Sequence, residues 1–115
     1  MPYIKANDGR REALRNGEPA LNAGELNYQI FYYLKNCINL YNDKEIITKF
    51  VKQFLGNKPN YQKYNDMTGA LIRCHKELKR RLGFEIDFLI EIMESYDEQI
   101  ASYEDLKINE NGDVE

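Results

Sequence analysis

His75 is the single histidine of this 115-residue chain, and it stands beside Cys74. That pair is the first place to look for catalytic or metal chemistry. Adjacent residues on a helix point about 100° apart, so the two side chains cannot easily hold one metal ion. Cys37 is the other cysteine, and no further Cys or His falls at zinc-ligand spacing. No Ser or Cys nucleophile motif surrounds His75, which therefore reads as a packed or boundary side chain on an apolar helix. The two unclustered thiols read as small buried apolar residues in a reducing compartment. Glu91 with Glu94, and Glu94 with Glu98, share a helix face. A di-metal bundle would need Glu-x-x-His pairs pointing inward, and the chain has none. The expectation is a protein that is not an enzyme, with no metal and no cofactor.

Binding chemistry is better represented. Arg73, Lys76 and Arg80 fall at i, i+3 and i+7 on one helical face with Gly69, opposite Met67, Leu71, Cys74 and Leu78. Arg81 points nearer the apolar side, where a pocket or an ion pair could recruit it. There is no Trp, but there are nine Tyr and five Phe. Arg grips phosphate through two parallel hydrogen bonds and Tyr stacks on a planar base, so this inventory suits an anionic, nucleotide-like ligand. Tyr64 and Asn65 lie at the start of the same helix. Glu25, Asn27 and Tyr28 stand at the start of another and could line a site, although capping and packing explain them equally well. Two alternatives stay open for the basic face: simple solvation, or contact with an acidic helix of the same protein.

The elements that would position these residues are helical. Leu26, Ile30, Tyr33, Leu34, Cys37 and Tyr41 recur at three and four residues from Gly24 onward, with Phe31 and Ile38 widening the stripe. Asn42-Asp43 ends that helix and can cap the next, which carries Ile46, Ile47, Phe50, Val51, Phe54 and Leu55 before Gly56-Asn57 stops it. A third helix is expected from about Asn65 to Gly83, and a fourth from Glu85 to Ala101 with Ile86, Leu89, Ile90, Met93, Tyr96 and Ile100 facing inward. The expected fold is all-α: a small bundle of about four helices over 23–102. An N-terminal arm (1–22) precedes it, broken by Gly9, Gly17 and Pro19, with Tyr3, Ile4, Leu14 and Leu21 able to pack. A C-terminal arm (103–115) follows. Its Asn111-Gly112 is a strong hairpin-turn signal that would bring Ile108 and Val114 to one surface, if a groove or another segment supports it.

Four stretches resemble a family of small uncharacterised proteins of prokaryotes and their phages. They are the MPYI start, GELNYQI at 24–30, the tail YEDLKINENGDV at 103–114 and, more weakly, NDMTGALIRCHKELKRRL at 65–82. Residues 83–102 look like an insertion relative to shorter members. The resemblance implies a helical domain with characteristic arms at both ends, and no established activity.

Net charge is −3, but its distribution is uneven. From Glu85 to the end there are eleven acids and one base, giving −10, while the first 84 residues carry +7. Such halves attract, within a chain or between subunits, and the acidic third would repel nucleic acid. No apolar run approaches the roughly 20 residues of a membrane span, and the N-terminus lacks an apolar signal-peptide segment, so a cytoplasmic protein is expected. Ile72, Ile38, Phe84, Phe88 and Ile92 fall outside the simple stripes, which predicts a homo-oligomer, most simply a dimer. Taken together, the expected function is a phage-type binding protein that sequesters an anionic nucleotide-like ligand, such as a host immune signal, in an anti-defence role. The alternative is a non-enzymatic interaction or structural module acting through its acidic helix and docked tail.

Overall fold

The computed structural model describes residues 9–36, 43–83 and 86–112. Expectations placed on the MPYI start, on Cys37, Ile38, Tyr41 and Asn42, on Phe84 and Glu85, and on Val114 lie outside these residues. Among the described residues there are six helices and no strand: α1 (Gly9–Arg15), α2 (Ala23–Asn36), α3 (Asp43–Leu55), α4 (Tyr61–Leu82), α5 (Phe88–Glu94) and α6 (Asp97–Asn111). The all-helical bundle stands, with two more helices than expected.

The longest helix, α4, is the axis, and α2, α3, α5 and α6 all pack on it. Its inward stripe of Met67, Leu71, Cys74 and Leu78 is fully buried, as the three-and-four spacing requires. Leu26, Ile30 and Leu34 of α2 and Ile47 and Val51 of α3 close the same core. α4 begins four residues earlier than expected, because Asn60 rather than Asn65 caps it: the Asn60 side chain accepts a hydrogen bond from the Lys63 backbone N–H at 2.8 Å. It ends at Gly83, whose φ of +70° is the left-handed stop that glycine adopts without strain.

Three further expectations are corrected. The stretch before residue 23 is not wholly irregular: α1 forms there and buries Leu14, together with Ala20 after it, whereas Leu21 is 66% exposed. The helix expected over 85–101 is two helices. At their junction Ser95 donates through its hydroxyl to the Ile92 carbonyl, and Tyr96 sits at φ −103°, ψ 5°. That bend turns Tyr96, Ile100 and Tyr103 toward the core, and Ile92, placed outside the stripe by spacing alone, is buried. Through Gly112 the tail is helical, not a hairpin. α6 runs through Asn111, and Gly112, at φ +84°, returns its N–H to the Ile108 carbonyl at 2.8 Å and ends the helix. The boundary expected between 102 and 103 therefore falls inside α6.

Candidate functional site

The residues expected to bind a ligand do not converge. They occupy three places, each with its own local cause.

The first is the start of α2. Asn22 accepts from the Glu25 backbone N–H at 2.9 Å, and the Glu25 carboxylate accepts from the Leu21 N–H at 2.9 Å, a reciprocal capping arrangement. Arg10 of α1 then closes on the same carboxylate, donating from Nε at 3.0 Å and from Nη2 at 2.6 Å. The hydrogen bond from Arg10 is the main cause that holds the Glu25 pKa below the ordinary carboxylate value. Burial opposes it, while the Leu21 N–H and the Arg10 charge add to it. Glu25 is thus occupied in fastening α1 to α2. Asn27 is buried, and its Oδ1 meets no hydrogen-bond donor among the described residues. Gln29, also buried, donates to the Leu14 and Glu18 carbonyls at 2.9 Å and anchors the same segment. Tyr28 accepts from Arg15 Nε at 2.8 Å and stacks on Tyr32 with ring centres 6.0 Å apart. The Arg11 guanidinium lies 5.3 Å from the Tyr28 ring centre and that of Arg15 4.7 Å from the Tyr32 centre. A planar base would have to displace these guanidinium groups to reach a ring face.

The second place is the N-terminal end of α4. Tyr64 is buried between Tyr96, at 6.0 Å, and Tyr103, at 5.7 Å. Burial raises the pKa of both Tyr64 and Tyr96, so these phenols stay protonated well above neutral pH. Tyr103 donates its hydroxyl to the Pro59 carbonyl at 2.8 Å. Tyr64 is therefore the seat of α6 rather than a ring open to a ligand. Asn65 next to it is exposed.

The third is the basic face. Arg73, Lys76 and Arg80 are exposed, and among the described residues no acid pairs with them. Arg81 leaves this group, as its position suggested. Its Nη1 lies 3.5 Å from the buried Glu77, and its guanidinium sits 5.1 Å from the Phe31 ring centre on α2. Arg80 stands 16 residues beyond Tyr64, about 24 Å along the helix. Tyr64, Asn65 and the basic triad therefore cannot grip one small ligand within a single chain.

Among the described residues no acid after Gly83 pairs with this face either. Glu91, on α5, pairs with Lys44 of α3 at 2.7 Å. Glu94 and Glu98 are exposed. His75 is half-buried, and burial in the core pushes the Cys74 thiol far up, leaving it no thiolate character. No group of three His, Cys, Asp or Glu residues among the described ones is placed to hold a metal ion. Nor, among them, is any helix long and apolar enough to cross a membrane. A groove of about 530 Å³ on α3, lined by Lys44, Glu45, Thr48, Lys49 and Lys52, is open to solvent and includes none of the expected ligand residues.

Sequence reasoning missed Arg10, Arg11 and Arg15. Asn22-Ala-Gly-Glu25 has capping-box spacing, which marks Glu25 as a capping residue before any site is invoked. Nothing local marks Arg10 as its partner. No family model, curated protein or solved structure matches the chain.

Proposed function

We propose that the chain is a non-enzymatic interaction module of the phage-type family that its terminal motifs resemble. Its contact elements are the exposed end of α6 and the basic face of α4. What supports this is α6 itself. The helix has no buried residue, and its half-buried Ile100 and Tyr103 touch the core only near its root. From Glu104 to Gly112 every residue is exposed, including Leu106 at 50% and Ile108 at 42%. An isolated helical end of this length is marginal in water, because few backbone bonds offset the ordering of each residue. A partner that covers Leu106 and Ile108 supplies the missing burial. Placing a photo-crosslinking residue at Leu106 of the full chain, with Lys49 on α3 as the control position, tests this in expressing cells. A light-dependent adduct of defined mass is expected from position 106 alone. No adduct, or the same smear from both positions, overturns the proposal.

A second reading is favoured by the three cations that have no acid partner among the described residues. Arg73, Lys76 and Arg80 form a surface able to take the phosphates of an anionic nucleotide-like ligand, and a host immune signal is a molecule of that class. Calorimetry of the full chain with adenosine monophosphate and with a cyclic dinucleotide tests it. Saturable heat that the Arg73→Glu, Arg80→Glu variant abolishes is the expected result. No heat, or heat that the variant leaves unchanged, removes the nucleotide.

A further inference from the structure

Within one copy the Lys44–Glu91 pair bridges the charge split, but among the described residues no base outside α6 pairs with an acid of α6. α6 meets the body on the inward side of α4, at Tyr64, and at Pro59 just before it. Counting 100° per residue from Tyr64, Arg73 and Arg80 lie about 160–180° around α4, and about 14–24 Å further along it. The root of α6 therefore sits on the side of α4 away from Arg73 and Arg80, and nearer the N-terminal end of that helix. Between Asp97 and Gly112 the sequence has five acids and one base, Lys107. That base is spent inside the helix, 3.7 Å from Glu110. The carboxyl end of a helix adds partial negative charge of its own. Among the described residues neither surface has a counter-charge from the other.

We infer that the projecting end of α6 docks on the Arg73, Lys76 and Arg80 face of α4 in a second copy of this chain. The inference rests on the interaction-module reading and names its partner. Charge complementarity selects the second copy: the same molecule carries an acidic helix tip with exposed Leu106 and Ile108 and, on α4, exposed Arg73, Lys76 and Arg80 with no acid partner among the described residues. On that face Gly69 has no atom within 4 Å of where a Cβ would stand, so a neighbouring helix can approach its backbone. The contact joins two different patches. It closes into a ring, or pairs two chains reciprocally, according to the rotation between copies.

Sedimentation velocity of the full chain tests this, at low salt and at about 0.5 M salt, where the screening length falls below about 5 Å. Two variants are needed. One is Arg73→Glu with Arg80→Glu; the other is Glu104→Lys, Asp105→Lys and Glu110→Lys. All five positions are exposed, so far-ultraviolet circular dichroism is expected to match the parent chain. The parent is expected to associate, at least tenfold more weakly in high salt. Each variant alone is expected to sediment as a monomer. An equimolar mixture of the two is expected to associate again, because one variant keeps the acidic tip and the other keeps the basic face. A parent chain that stays monomeric at both salt concentrations overturns the inference, as does association that survives both sets of reversals. In either case a crosslink from position 106 to a different protein leaves the module reading standing. The absence of any adduct removes that reading as well.

Discussion

Leu71→Ala is expected to cost about 2–5 kcal/mol of folding stability, the usual range for truncating a buried leucine. Leu71 is fully buried on α4, one helical turn from Met67 and from Cys74, both also fully buried. Because α4 packs on α2, α3, α5 and α6, a cavity there loosens contacts between several helices at once. A domain of this size has about 5–15 kcal/mol in all, so the loss is a large share of the total. It corresponds to a fall in melting temperature of roughly 10–20 °C. Arg73→Ala, two residues further on and exposed, is the matched control, expected within about 0.5 kcal/mol of the parent. Urea titration of both proteins checks the contrast. Equal losses would mean that α4 is not the axis of the bundle.

Glu25→Gln is the second large effect, about 1–3 kcal/mol at neutral pH. Glutamine still accepts the Leu21 N–H but loses the charge that holds Arg10. Arg10 is 30% exposed at its side chain, against 11% for Glu25, so solvent screens part of the pair and the lower half of the range is expected. The pH dependence has a definite sign. The folded chain holds the Glu25 carboxylate below its ordinary pKa, so folding favours the charged form. The stabilisation is therefore complete above the unfolded value of about 4.3. It is lost as pH falls through the lower folded value, because the unfolded chain takes up the proton first. Melting curves of parent and variant should stand apart at pH 7 and converge on the acid side of that window. A gap that persists unchanged at pH 2–3 would place the effect of Glu25 in packing rather than in its charge.

These two positions also mark what could be read in advance. Leu71 was legible, since a three-and-four apolar spacing makes one buried face whatever packs on it, and its neighbours Met67, Cys74 and Leu78 confirm the stripe. Glu25 was half legible. Its spacing from Asn22 is local and encodes a cap, but Arg10 reaches it only because α1 folds back on α2. The same limit explains the tail. Asn-Gly ends a helix as readily as it turns a hairpin, since both use the positive φ that glycine tolerates, so the signal at Asn111-Gly112 is ambiguous without a partner strand. α6 has no apolar stripe beyond Tyr103 to announce a helix, which is why periodicity stopped near Ala101.

By itself, then, the sequence determined the helical class, the inward faces of α2, α3 and α4, the stop at Gly83 and the existence of a basic face at Arg73, Lys76 and Arg80. Each of these depends on side chains a few residues apart, where helix geometry alone sets the outcome. The tertiary structure alone decided that Tyr64 seats α6, that Arg81 turns to Glu77 and Phe31, and that Arg11 and Arg15 cover Tyr28 and Tyr32. It also decided that α6 is rooted at Tyr64, on the side of α4 away from Arg73 and Arg80. These outcomes depend on which helix lies against which and in what direction. Helix direction is set by the summed burial of the whole core, and no short stretch of residues carries that information.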